Sequence, residues 1–139
     1  MSPLFQGLSC LPYDGALANA TCTLGGYPVY VVNARSAWDV QAAVNFARNM
    51  NIRLVVKNTG HDFAGKASGF ASLSIRTHAL KDVVVIKNYK SKSYSGPAIK
   101  AGSGIQGFEL YAAAHAAGLM VVGGEGQVSF FLSSRCGLD

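Results

Sequence analysis

Short apolar runs alternate along this chain with stretches of helical spacing, and this order predicts a mixed fold. Tyr27–Val32 predicts a first strand and Leu54–Lys57 a second. Between them, Ser36 followed by Asp39 has the spacing of a capping box, which predicts a helix that runs to about Asn49. A strand, a helix and a strand in this order predict a βαβ unit. The loop after the second strand then lies at the carboxyl end of a sheet, where α/β folds hold ligands.

The predicted first helix has one apolar side. Val40, Val44 and Ala47 fall on a single face at helical spacing, with Trp38 and Ala43 at its flank. We therefore expect this face to pack against the sheet.

The second half of the chain continues the alternation. A second helix is predicted over residues 105–117 and is closed by Gly118, the residue type that favours a helix C-terminus. The remaining elements are predicted strands at 72–75, 83–86, 98–101 and 119–122, with a solvated hairpin at 87–94. The fold class is therefore α+β or α/β, although the order of strands in a sheet is not readable from sequence.

Composition restricts the class of protein. Half of the residues are hydrophobic and 14% are charged, which is enough apolar material for a core. No apolar run approaches the ~20 residues of a membrane span, so we expect no membrane partner. The net charge of +5 comes from scattered residues. The densest cluster is Lys81, Lys87, Lys90, Lys92 and Lys100. Only the segment 87–94 interleaves basic and aromatic residues as nucleic-acid binders do, and it is better interpreted as a solvated hairpin, so no nucleic-acid partner is expected.

The N-terminal residues bear on localisation. Residues 1–11 lack the basic and long apolar regions of a secretory signal, and read literally they predict a protein that stays inside the cell. Asn19-Ala20-Thr21 is a glycosylation acceptor, and Cys10 and Cys22 lie in a loop-like leader; both features favour a secretory context. A chance sequon and two reduced thiols remain the alternative, and Cys136 is unassigned.

Three segments are candidates for chemistry. The strand ending at Lys57 runs directly into a glycine-rich loop that carries His61, a pattern typical of phosphate and cofactor binding. Gly102–Gly107 formally matches the dinucleotide fingerprint of an NAD-binding βαβ module, with Glu125 beyond it, but no second βαβ half follows. The histidines and Asp62 lack the paired spacing of zinc ligands, so no metal site is expected.

Residues 28–125 resemble the first half of an FAD-binding domain of the PCMH type. This domain occurs in berberine-bridge-like and vanillyl-alcohol-oxidase-like flavoproteins, and the similarity is greatest to the fungal berberine-bridge-like group. The segments that carry the resemblance are 30–48, 54–63 and 94–111. The resemblance implies FAD as cofactor and hydride transfer from a small alcohol, sugar or alkaloid-like donor to the flavin, with oxygen as the usual acceptor. The resemblance also implies secretion of the full-length relatives and leaves the localisation of this chain open.

The resemblance also implies roles for individual residues. The loop histidine of the family is bonded to the 8α-methyl group of the flavin, and His61 occupies that position. A histidine ring nitrogen bonded to the 8α-methyl group raises the reduction potential of the flavin. Contacts to the diphosphate and ring are expected from Thr59, Gly60, Asp62 and Gly65, and a second phosphate loop is expected to begin at Gly123 and Gly124.

The similarity stops after Glu125, and this sets the predicted domain boundaries. We expect a leader at 1–26, a partial FAD-binding domain at 27–125 and a tail at 126–139 outside the family pattern. The second attachment cysteine, the substrate domain and the catalytic base have no counterpart in the sequence, so no catalytic residue is assigned. A truncated, non-catalytic remnant is the alternative function. The tail reads as a retained intron or shifted frame, with Phe130–Leu132 left uncovered.

Overall fold

A computed structural model describes residues 23–124 together with Ser9. The chain divides into two units between Thr77 and His78. The predicted glycosylation site at Asn19, the three cysteines and the tail at 126–139 lie outside the described residues.

The first unit contains a three-stranded parallel sheet and one helix. Its elements are β1 (Tyr30–Asn33), α1 (Ala37–Asn49), β2 (Leu54–Lys57) and β3 (Leu73–Arg76). The strand order is β1-β3-β2, so β3 lies between the two strands that α1 connects. Tyr30 and Leu54 are both in register with Leu73. The predicted order of strand, helix and strand is confirmed, and the loop after β2 leaves the carboxyl end of the sheet.

The N-terminus of α1 has the predicted capping box. Ser36 accepts a hydrogen bond from the backbone N–H of Asp39, and the Asp39 carboxylate accepts bonds from the N–H groups of Ser36 and Arg35, both at 2.9 Å. The pKa of Asp39 is lowered, chiefly because the Arg35 N–H and then the Ser36 hydroxyl favour the charged form. These bonds satisfy backbone donors that an uncapped helix leaves without partners.

The core of the first unit lies between α1 and one face of the sheet. Ile75, Ala34 and Ala43 are at most 5% exposed, and Val32, Val40 and Leu54 pack around them. The face predicted for α1 is only partly right. Ala43 and Ala47 are its buried residues, whereas Val44 is 41% and Trp38 72% exposed. The small side chains of Ala43 and Ala47 let the helix backbone lie close to the strands. The buried face of α1 is therefore the face that carries these two alanines.

The second unit contains an antiparallel hairpin and a helix. These are β4 (Val83–Lys90), β5 (Ser95–Ala101) and α2 (Gly107–Ala116). Pairing continues beyond the predicted strands to Tyr89–Gly96 and Lys90–Ser95, with an irregularity between Ile86 and Tyr89. Residues 87–90 of the hairpin predicted over 87–94 are therefore strand, and the turn is confined to residues 91–94.

The end of the described chain corrects one prediction. Gly118 has a positive φ of 66° after α2, which confirms its role at the helix C-terminus. Leu119–Val122, predicted as a strand, has no regular structure and pairs with no strand within residues 23–124. An apolar run of this length forms a strand only when a neighbouring edge accepts its backbone bonds.

None of the helices among the described residues has the length and apolar character required to cross a bilayer.

Candidate functional site

The loop that connects β2 to β3 requires glycine at two places. Gly60 has a φ of 104° and Gly65 a φ of 72°, values that residues with a side chain adopt only with strain. The Gly65 N–H donates to the Asp62 carbonyl, and the Ser68 N–H donates to the Gly65 carbonyl, both at 3.3 Å. The loop is therefore a series of tight turns in which the glycines have a backbone role.

Asp62 fixes the shape of these turns. Its two carboxylate oxygens accept hydrogen bonds from the N–H groups of Ala64 at 3.0 Å and Ala67 at 2.8 Å. Burial raises the pKa of Asp62, but the backbone bonds from Ala67 and Ala64 outweigh this effect, so the pKa is lowered. The carboxylate is therefore charged at neutral pH and bound to the loop's own backbone.

Two buried serines anchor the end of the loop. The Ser68 hydroxyl donates to the Gly26 carbonyl at 2.7 Å, and the Ser72 hydroxyl donates to the Gly69 carbonyl at 2.6 Å. Both residues are at most 3% exposed. Ser68 thereby attaches the loop to the segment that precedes β1.

Two cavities lie along this loop and the adjoining sheet face. The smaller, of about 120 Å³, is lined by Tyr27, Lys57, Thr59, Gly60, Asp62, Ala67 and Ser68. The larger, of about 260 Å³, is lined by Tyr27, Pro28, Val31, Lys57, Ser68, Ser74 and Arg76. Three lining residues are common to both, so the cavities adjoin.

The structure brings together some of the residues predicted from sequence. Thr59, Gly60 and Asp62 line the smaller cavity, whereas His61 is exposed on the same loop and Gly65 forms the following turn. Gly123 and Gly124 belong to the second unit. There both are exposed, and the Gly124 carbonyl accepts a hydrogen bond from the Tyr111 hydroxyl at 3.1 Å.

The polar residues at the ends of the three strands were not predicted as part of the site. Asn33, Arg76 and Lys57 are the last residues of β1, β3 and β2, and they lie in register across the sheet. Since strand residues alternate between faces, all three project from the face opposite α1, where the cavities lie. In the sequence, these residues could have been found only as the polar residue that ends each apolar strand.

The dinucleotide-like segment Gly102–Gly107 has another explanation. The strand before it, β5, is antiparallel to β4 and so does not belong to a βαβ unit. A Cβ atom on Gly102 would collide with the backbone carbonyl of Leu80. Glycine is required there because two segments of the second unit pack closely, and the NAD-binding interpretation loses its structural basis.

The second helix carries its own polar anchor. Glu109 accepts hydrogen bonds from the Gln106 N–H at 2.7 Å and from the Lys81 ammonium at 2.5 Å. Burial raises the pKa of Glu109, but the bond from Lys81 and then that from Gln106 outweigh it, so the pKa is lowered. This ion pair attaches the start of α2 to the segment before β4.

Among residues 23–124 no three acidic, histidine or cysteine side chains form a group that could hold a metal ion.

Comparison with known proteins places this geometry in a family. Residues 28–128 match the family model described as FAD binding domain. A VAO-type flavoprotein oxidase, VAO615, of Thermothelomyces thermophilus is 50% identical over 124 residues, which are 89% of this chain and 21% of that protein.

Two crystal structures are similar to the chain as well. VAO-type flavoprotein MtVAO615 from Myceliophthora thermophila C1 has a TM-score of 0.82 at 50% identity, over 88% of this chain and 22% of that one. MtVAO713 from the same source has a TM-score of 0.77 at 32% identity, over 90% of this chain and 23% of that one. The chain thus spans about a fifth of the length of these relatives.

Proposed function

The chain belongs to the FAD binding domain family, and we propose that its loop between β2 and β3 holds the flavin of a VAO-type oxidoreductase. The reaction we propose for the whole protein is hydride transfer from a small alcohol, sugar or alkaloid-like donor to the flavin. The name of the relative VAO615, a flavoprotein oxidase, supports oxygen as the electron acceptor.

The residues of the loop fit a dinucleotide cofactor. Gly60 exposes backbone beside the smaller cavity because it has no side chain there, and Thr59 adds a hydroxyl to the same wall. Backbone N–H groups and hydroxyls at a glycine-rich loop bind phosphate oxygens well. Asp62 contributes indirectly, because its carboxylate already accepts the N–H groups of Ala64 and Ala67 and keeps the loop in shape.

His61 is the residue we propose for covalent attachment to the flavin. It lies between Gly60 and Asp62, which both line the smaller cavity, and its side chain is exposed. A flavin bound at this loop supplies the hydride-accepting ring, and the protein supplies its binding, orientation and electrostatics. The observation that carries the proposal is the position of His61 on a turn fixed by Asp62 and by two glycines with positive φ.

Acid precipitation tests the attachment. The chain is produced with FAD, precipitated with acid and washed, and the flavin absorbance of the pellet is measured. We expect flavin to remain with the unmodified chain and to be absent from His61→Ala, which should still bind FAD reversibly. His115→Ala is the matched control, because His115 is exposed on α2 in the second unit and should leave the pellet coloured. Equal pellet absorbance in the His61 and His115 variants would contradict the assignment.

A further inference from the structure

Lys57 lies where the β2–β3 loop begins and faces both cavities. As the last residue of β2 it is in register with Arg76 of β3, and its side chain lines both cavities. Among the residues that the structure describes, Tyr27 and Ser68 are the other two that line both cavities. A ligand that extends from one cavity to the other therefore passes Lys57.

The side chain of Lys57 lies over Gly60. A Cβ atom on Gly60 would be 2.9 Å from Cε of Lys57 and 3.5 Å from its Nζ. The missing side chain at position 60 thus provides the space in which the lysine lies against the loop. The ammonium group is held next to the backbone that we propose binds phosphate.

Lys57 forms no ion pair with Asp62, the acidic residue that lines the smaller cavity. The two carboxylate oxygens of Asp62 accept hydrogen bonds from the N–H groups of Ala64 and Ala67. Within residues 23–124 the Lys57 ammonium forms no ion pair and donates no hydrogen bond. Arg76 adds a second positive charge to the larger cavity, where its Nη1 donates to the Asn33 side chain at 3.2 Å.

From this arrangement we infer that Lys57 is a cofactor-selecting residue, whose ammonium binds the diphosphate of the dinucleotide and distinguishes FAD from flavins without phosphate. The inference rests on the proposed function and adds a residue to it. A cation aimed at a phosphate oxygen forms a charge-assisted hydrogen bond, about twice as strong as a neutral one. The oxidised flavin ring carries no net charge, so an ammonium group favours the diphosphate over the ring.

Equilibrium dialysis of the full chain against three probes tests this role, and each measurement is made in the His61→Ala background, where FAD is expected to bind only reversibly. The probes are FAD, ADP and riboflavin, which carry respectively the flavin with a diphosphate, a diphosphate alone and the flavin alone. For Lys57→Gln we expect the affinity for FAD and ADP to fall by about tenfold to hundredfold. The affinity for riboflavin should be unchanged, and Lys57→Arg should retain most of the affinity for FAD.

The control for net charge is Lys66→Gln. Lys66 lies on the same loop, but its side chain is exposed and lines neither cavity, so this variant should bind all three probes like the unmodified chain. An equal loss in the Lys57 and Lys66 variants would show a general charge effect and overturn the inference. A loss of riboflavin binding in Lys57→Gln would also overturn it, because it would indicate a damaged site.

A measurement on the His61→Ala chain with Lys57 intact tests the inference even if Lys57→Gln does not fold. Salt screens charge interactions over about 8 Å at physiological ionic strength, so FAD and ADP should bind more weakly as salt rises while riboflavin does not. Salt-independent FAD binding would overturn the role of Lys57 and leave the proposed function intact. Failure of the unmodified chain to bind FAD at any salt concentration would overturn the proposed function itself.

Discussion

Replacement of Gly60 by alanine should affect both the loop and the cofactor site. At a φ of 104° the backbone of Gly60 lies outside the regions that alanine adopts readily. The new methyl group would also meet Cε of Lys57 at 2.9 Å. Because that atom belongs to a flexible side chain, we expect the lysine to move away from the loop while the backbone carries the strain.

The magnitude follows from a comparison with Gly118. At Gly118 the φ is 66° and a Cβ atom would have no neighbour within 4 Å, so Gly118→Ala isolates the backbone cost of a left-handed residue, about 1 kcal/mol. Gly60→Ala should cost about 1–3 kcal/mol, since its φ is less accessible to alanine. Only Gly60→Ala should weaken FAD binding, because only this variant displaces Lys57.

Circular dichroism measures the loss of stability on unfolding, and FAD titration measures the loss of cofactor affinity. The loss of FAD affinity in Gly60→Ala should be smaller when Lys57 has already been replaced by glutamine, because the two changes act on one contact. Unchanged stability in Gly60→Ala would refute the strained backbone. Additive losses of affinity in the double variant would refute the link between Gly60 and Lys57.

Two further predictions concern the loop and the helix of the first unit. The pKa of Asp62 lies below its ordinary value of 3.8, so its charged form should stabilise the fold above pH 3.8 and lose this effect as the pH falls through the lowered pKa. Stability should therefore depend less on pH below 3.8 in Asp62→Asn than in the unmodified chain, and identical pH profiles would contradict the capping role. Ser36→Ala should remove the cap of α1 and cost about 1 kcal/mol in thermal unfolding without changing FAD affinity; a loss of affinity would show that the cap and the site are coupled.

The fold was predictable wherever one local interaction determines an element. Ser36 and Asp39 define the start of α1 through bonds within four residues of chain, and β2 is a compact apolar run. Leu119–Val122 has a similar apolar pattern, yet it forms no strand, because a strand also needs a partner edge. The strands β4 and β5 are longer than predicted, because their backbones pair at positions where exposed polar side chains break the apolar pattern of a strand.

The site was predictable only in part, because it depends on which strands are neighbours. The loop with His61 and Gly60 was evident from its glycines and from the resemblance to a family. Lys57 and Arg76 come together because β3 inserts between β1 and β2, an arrangement that no local pattern encodes. In sequence each is one basic residue at the end of a strand, which is indistinguishable from a solvated side chain.

Binding of FAD at the β2–β3 loop can be tested by amide chemical shifts measured during an FAD titration of the isotopically labelled chain. We expect the largest shift changes on residues 57–68, which form the loop and carry most of the lining of the smaller cavity. Riboflavin should leave Lys57 and its neighbours less perturbed than FAD does. No change in residues 57–68 at saturating FAD, or changes confined to the hairpin of β4 and β5, would contradict FAD binding at this loop.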